Sequence, residues 1–402
     1  MEFERALVSS KAVSLSGHAK KIVSLGWSST GVLASGSSDN RVRVWYDVTA
    51  GPSSMRFDWL TGHTAAVDAL AWSPATPTVL ATGGLDKTLR VWDTRAGGRV
   101  ALVLATRGQA LHVGWSHDGN LLAVGTRDDI FAVADMRRAG GVAGGAAGGG
   151  ATTTASSAVS GGADAGAFVL TASVKDELNE FAFAPNGCVY AGVGSVGLGG
   201  GVGVGGGGGG AISLHGGADS VGSLVVWDVS GSELSERARV VSHAAPITNM
   251  RFSPDFSQLA TGAADSTVSL WDSASLSVVR TLDRSDAACR ALSWNRAGSH
   301  LAVASGDREE AAARTLEVVR VSDGSRVATP SCAIGAVATS ASAARFTTPL
   351  IRTAAWASHA DILAFSYDEV TGPAANARGL NPTTVALEAG SLKVLVASSA
   401  AR

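Results

Sequence analysis

His63, Thr82 and Asp86 have the residue types of a catalytic relay: a hydroxyl to attack, a histidine to deprotonate it, and a carboxylate to orient the ring. The same types recur as His18, Ser35, Asp39 and as His243, Thr261, Asp265. Each set leads to a tryptophan, Trp92, Trp45 or Trp271. In all three the aspartate follows the hydroxyl residue by four positions and precedes the tryptophan by six. Nucleophilic catalysis needs one such constellation beside an oxyanion hole. A set repeated three times is better explained as architecture, a buried hydrogen-bond network in which every group must be satisfied. Other reactive residues offer less. His112, His117, His300 and His359 stand singly, and Cys188, Cys289 and Cys332 lie far apart without a CxxC pair. Neither a disulfide framework nor a zinc site is expected. Asp128 and Asp129 are adjacent, and neighbouring side chains on an extended chain point to opposite faces, which suits a turn better than a metal. No catalytic residue, cofactor or metal is expected.

The elements around these residues repeat one grammar. An apolar segment ends in an aromatic, a serine turn follows, a second apolar segment runs into a small-residue turn bearing aspartate, and a third ends at the tryptophan. Aligned on the first aromatic, the units start at Trp27, Trp72, Trp115, Phe183, Phe252, Trp294 and Trp356. Short strands rich in Val, Leu, Ala and Thr with tight turns, at a period of about 40–45 residues, resemble WD repeats. The expected fold is all-β, a seven-bladed WD-repeat β-propeller occupying residues 1–402 as one domain. Residues 6–15 are expected to form the outer strand of the last blade and close the ring. The other three strands of that blade are expected around residues 353–358, 362–367 and 391–397. In WD-repeat propellers the tetrad ties the loop before the first strand to the turn between the second and third. The aspartate there accepts from histidine, and histidine meets both the hydroxyl and the tryptophan nitrogen. Blade three lacks the set, with Gly108-Gln109 and Ala134-Asp135 at the marker positions. Blade four keeps Trp227-Asp228 alone, and blades six and seven keep Asp307 and Asp368.

Two Gly/Ala-rich tracts, residues 139–166 and 192–222, have neither helical nor strand periodicity and read as disordered surface insertions. The run 203–211 lacks the following helix and the Lys or Ser/Thr that a phosphate-cradling loop needs. Shorter insertions are expected at 308–314, 331–347 and 372–389. Hydrophobic residues make up 46% of the chain, enough for a large core, and the net charge of −2 provides no basic field for phosphate. The charged start, Met1-Glu2-Phe3-Glu4-Arg5, does not read as a signal peptide, and no apolar run suggests a membrane span. A soluble intracellular protein is expected.

Propellers bind partners most often where their innermost strands begin. The common register puts that rim four residues before each aligned aromatic, at Val23, Asp68, Leu111, Asn179, Thr248, Arg290 and Arg352. Arg290 and Arg352 fall on neighbouring blades and could hold a carboxylate or phosphate. Several segments together resemble one family, the third subunit of the THO complex. They are residues 16–27 with Gly-His-Ala-Lys-Lys, 62–72 with Val67-Asp68, Ser73-Pro74, and 85–95. The irregular third blade, 113–129, is the most specific, and Asn179-Glu180, 261–272 and 290–294 continue the match. The resemblance implies a non-catalytic nuclear scaffold docked on larger helical subunits of that complex and on mRNA-export factors, touching RNA indirectly. It would couple transcription to mRNA processing and export. The alternative is a WD-repeat adaptor of another assembly, a chromatin factor or a ubiquitin-ligase substrate receptor.

Overall fold

A computed structural model describes residues 3–4, 7, 11–15, 17–48, 56–139, 167–196, 220–283, 287–306, 315–328, 350–368 and 391–396. After an opening strand β1 (Lys11–Leu15), the chain makes six consecutive four-stranded antiparallel sheets. The first is β2 (Ile22–Trp27), β3 (Leu33–Ser37), β4 (Arg41–Tyr46) and β5 (Arg56–Thr61); the second is β6 (Val67–Trp72), β7 (Val79–Gly84), β8 (Thr88–Asp93) and β9 (Val100–Ala105). The third holds β10 (Ala110–Trp115), β11 (Leu121–Thr126), β12 (Ile130–Asp135) and β13 (Phe168–Ser173). The fourth holds β14 (Glu177–Phe183), β15 (Val189–Val196), β16 (Ser220–Asp228) and β17 (Ser235–His243). The fifth is β18 (Ile247–Phe252), β19 (Gln258–Ala263), β20 (Thr267–Asp272) and β21 (Ser277–Asp283). The sixth is β22 (Cys289–Trp294), β23 (His300–Ser305), β24 (Thr315–Arg320) and β25 (Arg326–Ala328). The remaining sheet is composite: β26 (Leu350–Trp356), β27 (Ile362–Asp368) and β28 (Ser391–Val396) take β1 as their outer edge.

The innermost strands β2, β6, β10, β14, β18, β22 and β26 each touch the next, and β26 touches β2. This arrangement corrects the expectation that the N-terminal strand closes the ring. β1 pairs only on the outer edge, from Lys11 opposite Val396 to Leu15 opposite Leu392. At the centre, β26 and β2 make the junction, and Trp27 Nε1 donates to the carbonyl of Ala355 across it at 3.0 Å. Leu7, inside the strand expected at 6–15, is helical, as are Phe3 and Glu4, and β1 is described from Lys11. In the composite sheet the inner strand begins earlier than expected, at Leu350. Strand β15 runs on to Val196 and β16 starts at Ser220, so both ends of the expected 192–222 insertion are sheet. Residues 140–166 and 197–219, and the shorter insertions expected at 308–314, 331–347 and 372–389, lie outside the described residues.

The second strand of each sheet explains why these sequences stack radially. Strands β3, β7 and β23 are buried along their whole length, since neighbouring sheets cover both faces. They are built from small residues: a Cβ on Gly83 would lie 2.8 Å from Val113 and 2.9 Å from Ala110 of the next inner strand. A Cβ on Gly262 would meet Cys289, one on Gly192 would meet Ile247, and one on Gly36 would lie 2.9 Å from the Val67 carbonyl. Each glycine lets the following inner strand approach to backbone distance. Trp72 Nε1 then donates to Gly26 O, Trp115 to Ala71 O and Trp294 to Arg251 O, at 2.9–3.0 Å, fastening each of these blades to the one before. Gly83→Ala is expected to lower stability by about 1–3 kcal/mol through overpacking of the blade two to blade three junction. A urea-unfolding midpoint equal to that of the unsubstituted chain would show that the junction has room.

Candidate functional site

The three repeated sets assemble as relays between a loop and a turn. In blade two, His63 Nδ1 lies 2.9 Å from Asp86 Oδ2 and His63 Nε2 lies 2.8 Å from Thr82 Oγ1. Trp92 Nε1 donates to that same Oγ1 at 2.8 Å. Blade one repeats this with His18, Asp39, Ser35 and Trp45 at 2.8–3.0 Å. The tryptophan therefore meets the hydroxyl and not the histidine, which corrects the expected wiring. Indole N–H can only donate, so the hydroxyl accepts from tryptophan and donates to Nε2, leaving Nδ1–H for the carboxylate. Every donor has one acceptor; this is the proton order of a catalytic relay, but Ser35, Thr82 and Thr261 are wholly buried, out of reach of a substrate. In blade five, Thr267 Oγ1 stands 2.9 Å from His243 Nδ1 and donates to Asp265 at 2.7 Å, while Asp265 Oδ2 is 3.3 Å from the ring. Thr261 Oγ1 joins His243 Nε2 and Trp271 Nε1 at 2.8 and 2.9 Å. Burial pushes the Asp39, Asp86 and Asp265 carboxyls up, but hydrogen bonds from histidine and backbone amides outweigh it and hold all three below the ordinary range. Asp307 lies outside the described residues.

The seven rim positions share a backbone property that the sequence did not announce. In every inner strand the register with the second strand slips at that residue: at Val23, Asp68, Leu111, Asn179, Thr248, Arg290 and Arg352. Each is the extra residue of a β-bulge, which re-aims its side chain out of the regular alternation near the start of the inner strand. The bulge leaves the preceding carbonyl without a ladder partner, and side chains of the preceding blade capture three of these. Ser24 Oγ donates to Val67 O, Thr248 Oγ1 to Cys289 O, and Ser366 Oγ to Ile22 O, at 2.8–3.1 Å. Thr248 is thus a buried fastener and presents little to a partner. Arg290 is anchored too, its Nε donating to Gly306 O at 3.0 Å. The Asn179 Nδ2 is buried with no hydrogen-bond partner among the described residues.

Charge converges on the channel wall. Burial pushes the Asp68 carboxyl up, opposed by the positive fields of Arg352, His112 and Arg127. Below the rim, Glu180 of blade four lies 2.9 Å from Arg251 of blade five and 3.6 Å from His112 of blade three. Burial alone would raise this carboxyl, but Arg251 and His112 hold it at about 2. His112 and Glu180 were not singled out as a pair from the sequence, since nothing in a lone histidine marks its partner 68 positions away. Asp129 sits in a turn at φ 54° and its carboxylate accepts from Leu178 N at 2.9 Å. Among the described residues, no group of three or more His, Cys, Asp or Glu could hold a metal, and no helix is long and apolar enough to cross a membrane.

The WD40 family model (WD domain, G-beta repeat) matches residues 9–46, 55–93 and 235–272. Those three stretches carry the three complete tetrads. The chain is 27% identical to THO complex subunit 3 of Arabidopsis thaliana, over 72% of this chain and 75% of that protein. Three stretches of the chain thus match WD repeats, and most of its length resembles THO complex subunit 3. It is also 25% identical to WD repeat-containing protein AAC3 of Dictyostelium discoideum, over 69% of this chain and 52% of that protein. Identity to the Dictyostelium discoideum anaphase-promoting complex subunit cdc20 reaches 41%, but over 25% of this chain and 21% of that protein. High identity over so short a stretch is what regular repeats share among themselves. The long match to THO complex subunit 3 has to run through irregular blades as well.

The tetrads give a pH dependence whose sign is fixed by their carboxylates. A depressed folded pKa contributes stability that is complete above the unfolded value of about 3.9, and is lost as pH falls below it. Asp86→Asn is expected to cost about 1–3 kcal/mol at neutral pH, and to flatten the fall of the thermal midpoint between about pH 5 and pH 2. Parallel acid profiles for the two chains would remove Asp86 from this role.

Proposed function

We propose that this protein is a non-catalytic WD-repeat scaffold subunit of a THO-type assembly in the nucleus. Its task there is to couple transcription to mRNA processing and export. The similarity to THO complex subunit 3 over 72% of the chain carries this reading. The chemistry of the residues agrees with it. The hydroxyls that could form a catalytic relay are wholly buried, each held between a histidine and an indole. The rim offers side chains lifted out of the pleat, with Asp68, Arg290, Arg352 and the unsatisfied Asn179 amide among them. Such a ring suits protein docking through mixed charge and amide contacts. The net charge of −2 suits an indirect relation to RNA, through other THO subunits and export factors.

The similarity to the anaphase-promoting complex subunit cdc20 supports the competing reading of an adaptor for a different assembly. Affinity purification of the tagged full chain from nuclear extract, followed by mass spectrometry, separates the two. Recovery of the large THO subunits is expected; recovery of anaphase-promoting complex or chromatin-factor subunits in their place would overturn the proposal. Substituting both Arg290 and Arg352 by Ala is expected to reduce THO recovery at least several-fold. Undiminished recovery from that folded variant would move the docking surface away from this rim.

A further inference from the structure

The inner strand β26 runs from the rim at Arg352 to its end at Trp356, so Trp356 lies on the face opposite the rim. A groove there, between blade six and the composite sheet, is filled by Phe3, Glu4 and Leu7. Phe3 packs against the His300 ring at 4.7 Å between centroids and against the Trp356 indole at 6.0 Å. One Glu4 carboxylate oxygen accepts from Arg320 Nε at 2.8 Å, Arg320 Nη2 at 2.7 Å and His300 Nε2 at 3.2 Å. Leu7 is buried in the same apolar cluster as Leu316, Trp356 and Tyr367. Phe3, Glu4 and Leu7 are helical, and positions i and i+4 share one helix face. The groove therefore reads three features of one helical turn: an aromatic, a carboxylate beside it, and a leucine a turn later.

One observation marks this occupant as exchangeable. The groove is open at its edge, with Phe3 only partly buried and the Arg320 side chain 36% exposed. A ligand that reproduced the Phe, Glu and Leu contacts would compete for the same place.

We propose that this groove is a second docking site, for a helical turn of a partner protein presenting the pattern Phe-Glu-x-x-Leu. The chain's own Phe3, Glu4 and Leu7 occupy it as a tethered competitor. The site is independent of the rim and of the THO reading, since neither the rim residues nor the identity of the assembly enters the argument. A tethered segment competes at an effective concentration in the millimolar range. A free ligand is therefore weakened until the segment is displaced.

The test uses the full chain and a fluorescent peptide of residues 1–10. Phe3→Ala with Glu4→Arg removes two anchors from the resident segment, and the peptide is expected to bind this variant at least about 10-fold more tightly than the unsubstituted chain. Adding Arg320→Glu is expected to abolish that gain. Equal binding to the unsubstituted and double-variant chains, or a gain that survives Arg320→Glu, would overturn the proposal. A double variant that dimerises on size exclusion by trading residues 3–7 between copies would replace the partner with a second copy of this chain. If the double variant loses its β-sheet circular dichroism, hydrogen exchange on the unsubstituted chain decides. Millimolar peptide must then deprotect residues 3–7, and unchanged protection would sink the idea.

Discussion

Everything in this molecule depends on how closely each inner strand can approach the second strand of the blade before it. Gly36, Gly83, Gly192 and Gly262 stand where a Cβ would collide with the next blade. At the equivalent place in blade six the chain uses Ala304, and in the composite sheet Ser366, whose hydroxyl reaches Ile22 O. With the gap set by these small residues, the second strands are sealed on both faces and become the apolar interior. The indole and hydroxyl bonds between blades follow from the same spacing, because their 2.8–3.1 Å distances exist only at that approach.

The tetrads stiffen the chain in a different direction, within a blade. They tie the loop before an inner strand to the turn that follows the second, and only blades one, two and five have them complete. Blades three and four are held by other means. Phe131, Phe181 and Trp227 stack at 5.1–5.4 Å between centroids, and Glu180 joins three consecutive blades through His112 and Arg251. Local polar wiring is thus replaced by an aromatic cluster and by one charge network that crosses the junctions.

Much of this was legible in the residues because its signals are local and periodic. The aromatic register placed the inner strands, and the residue four positions before each aromatic coincides with a bulge in all seven. The tetrads were visible because four residue types recur at fixed separations. What escaped has no local signature. The order of bonding within a tetrad follows from which groups can only donate, and spacing does not show that. The partnership of His112 with Glu180, or of Glu4 with Arg320 and His300, joins positions far apart in the chain with no repeat to betray them. Leu7, helical in the structure, falls within the strand expected at 6–15, because a single apolar residue fits either period in so short a segment.

The bulges have a consequence for how such a protein can change over evolutionary time. A residue extruded from the ladder does not pair across the sheet, so replacing it leaves the ladder's hydrogen bonds in place. At Val23, Asp68, Leu111 and Arg352, substitution can therefore change the chemistry at the start of the inner strands while the sheet stays constant. Thr248 marks the limit of that latitude, because its hydroxyl has been recruited into the frame. Divergent chains built this way can keep one architecture and acquire different company.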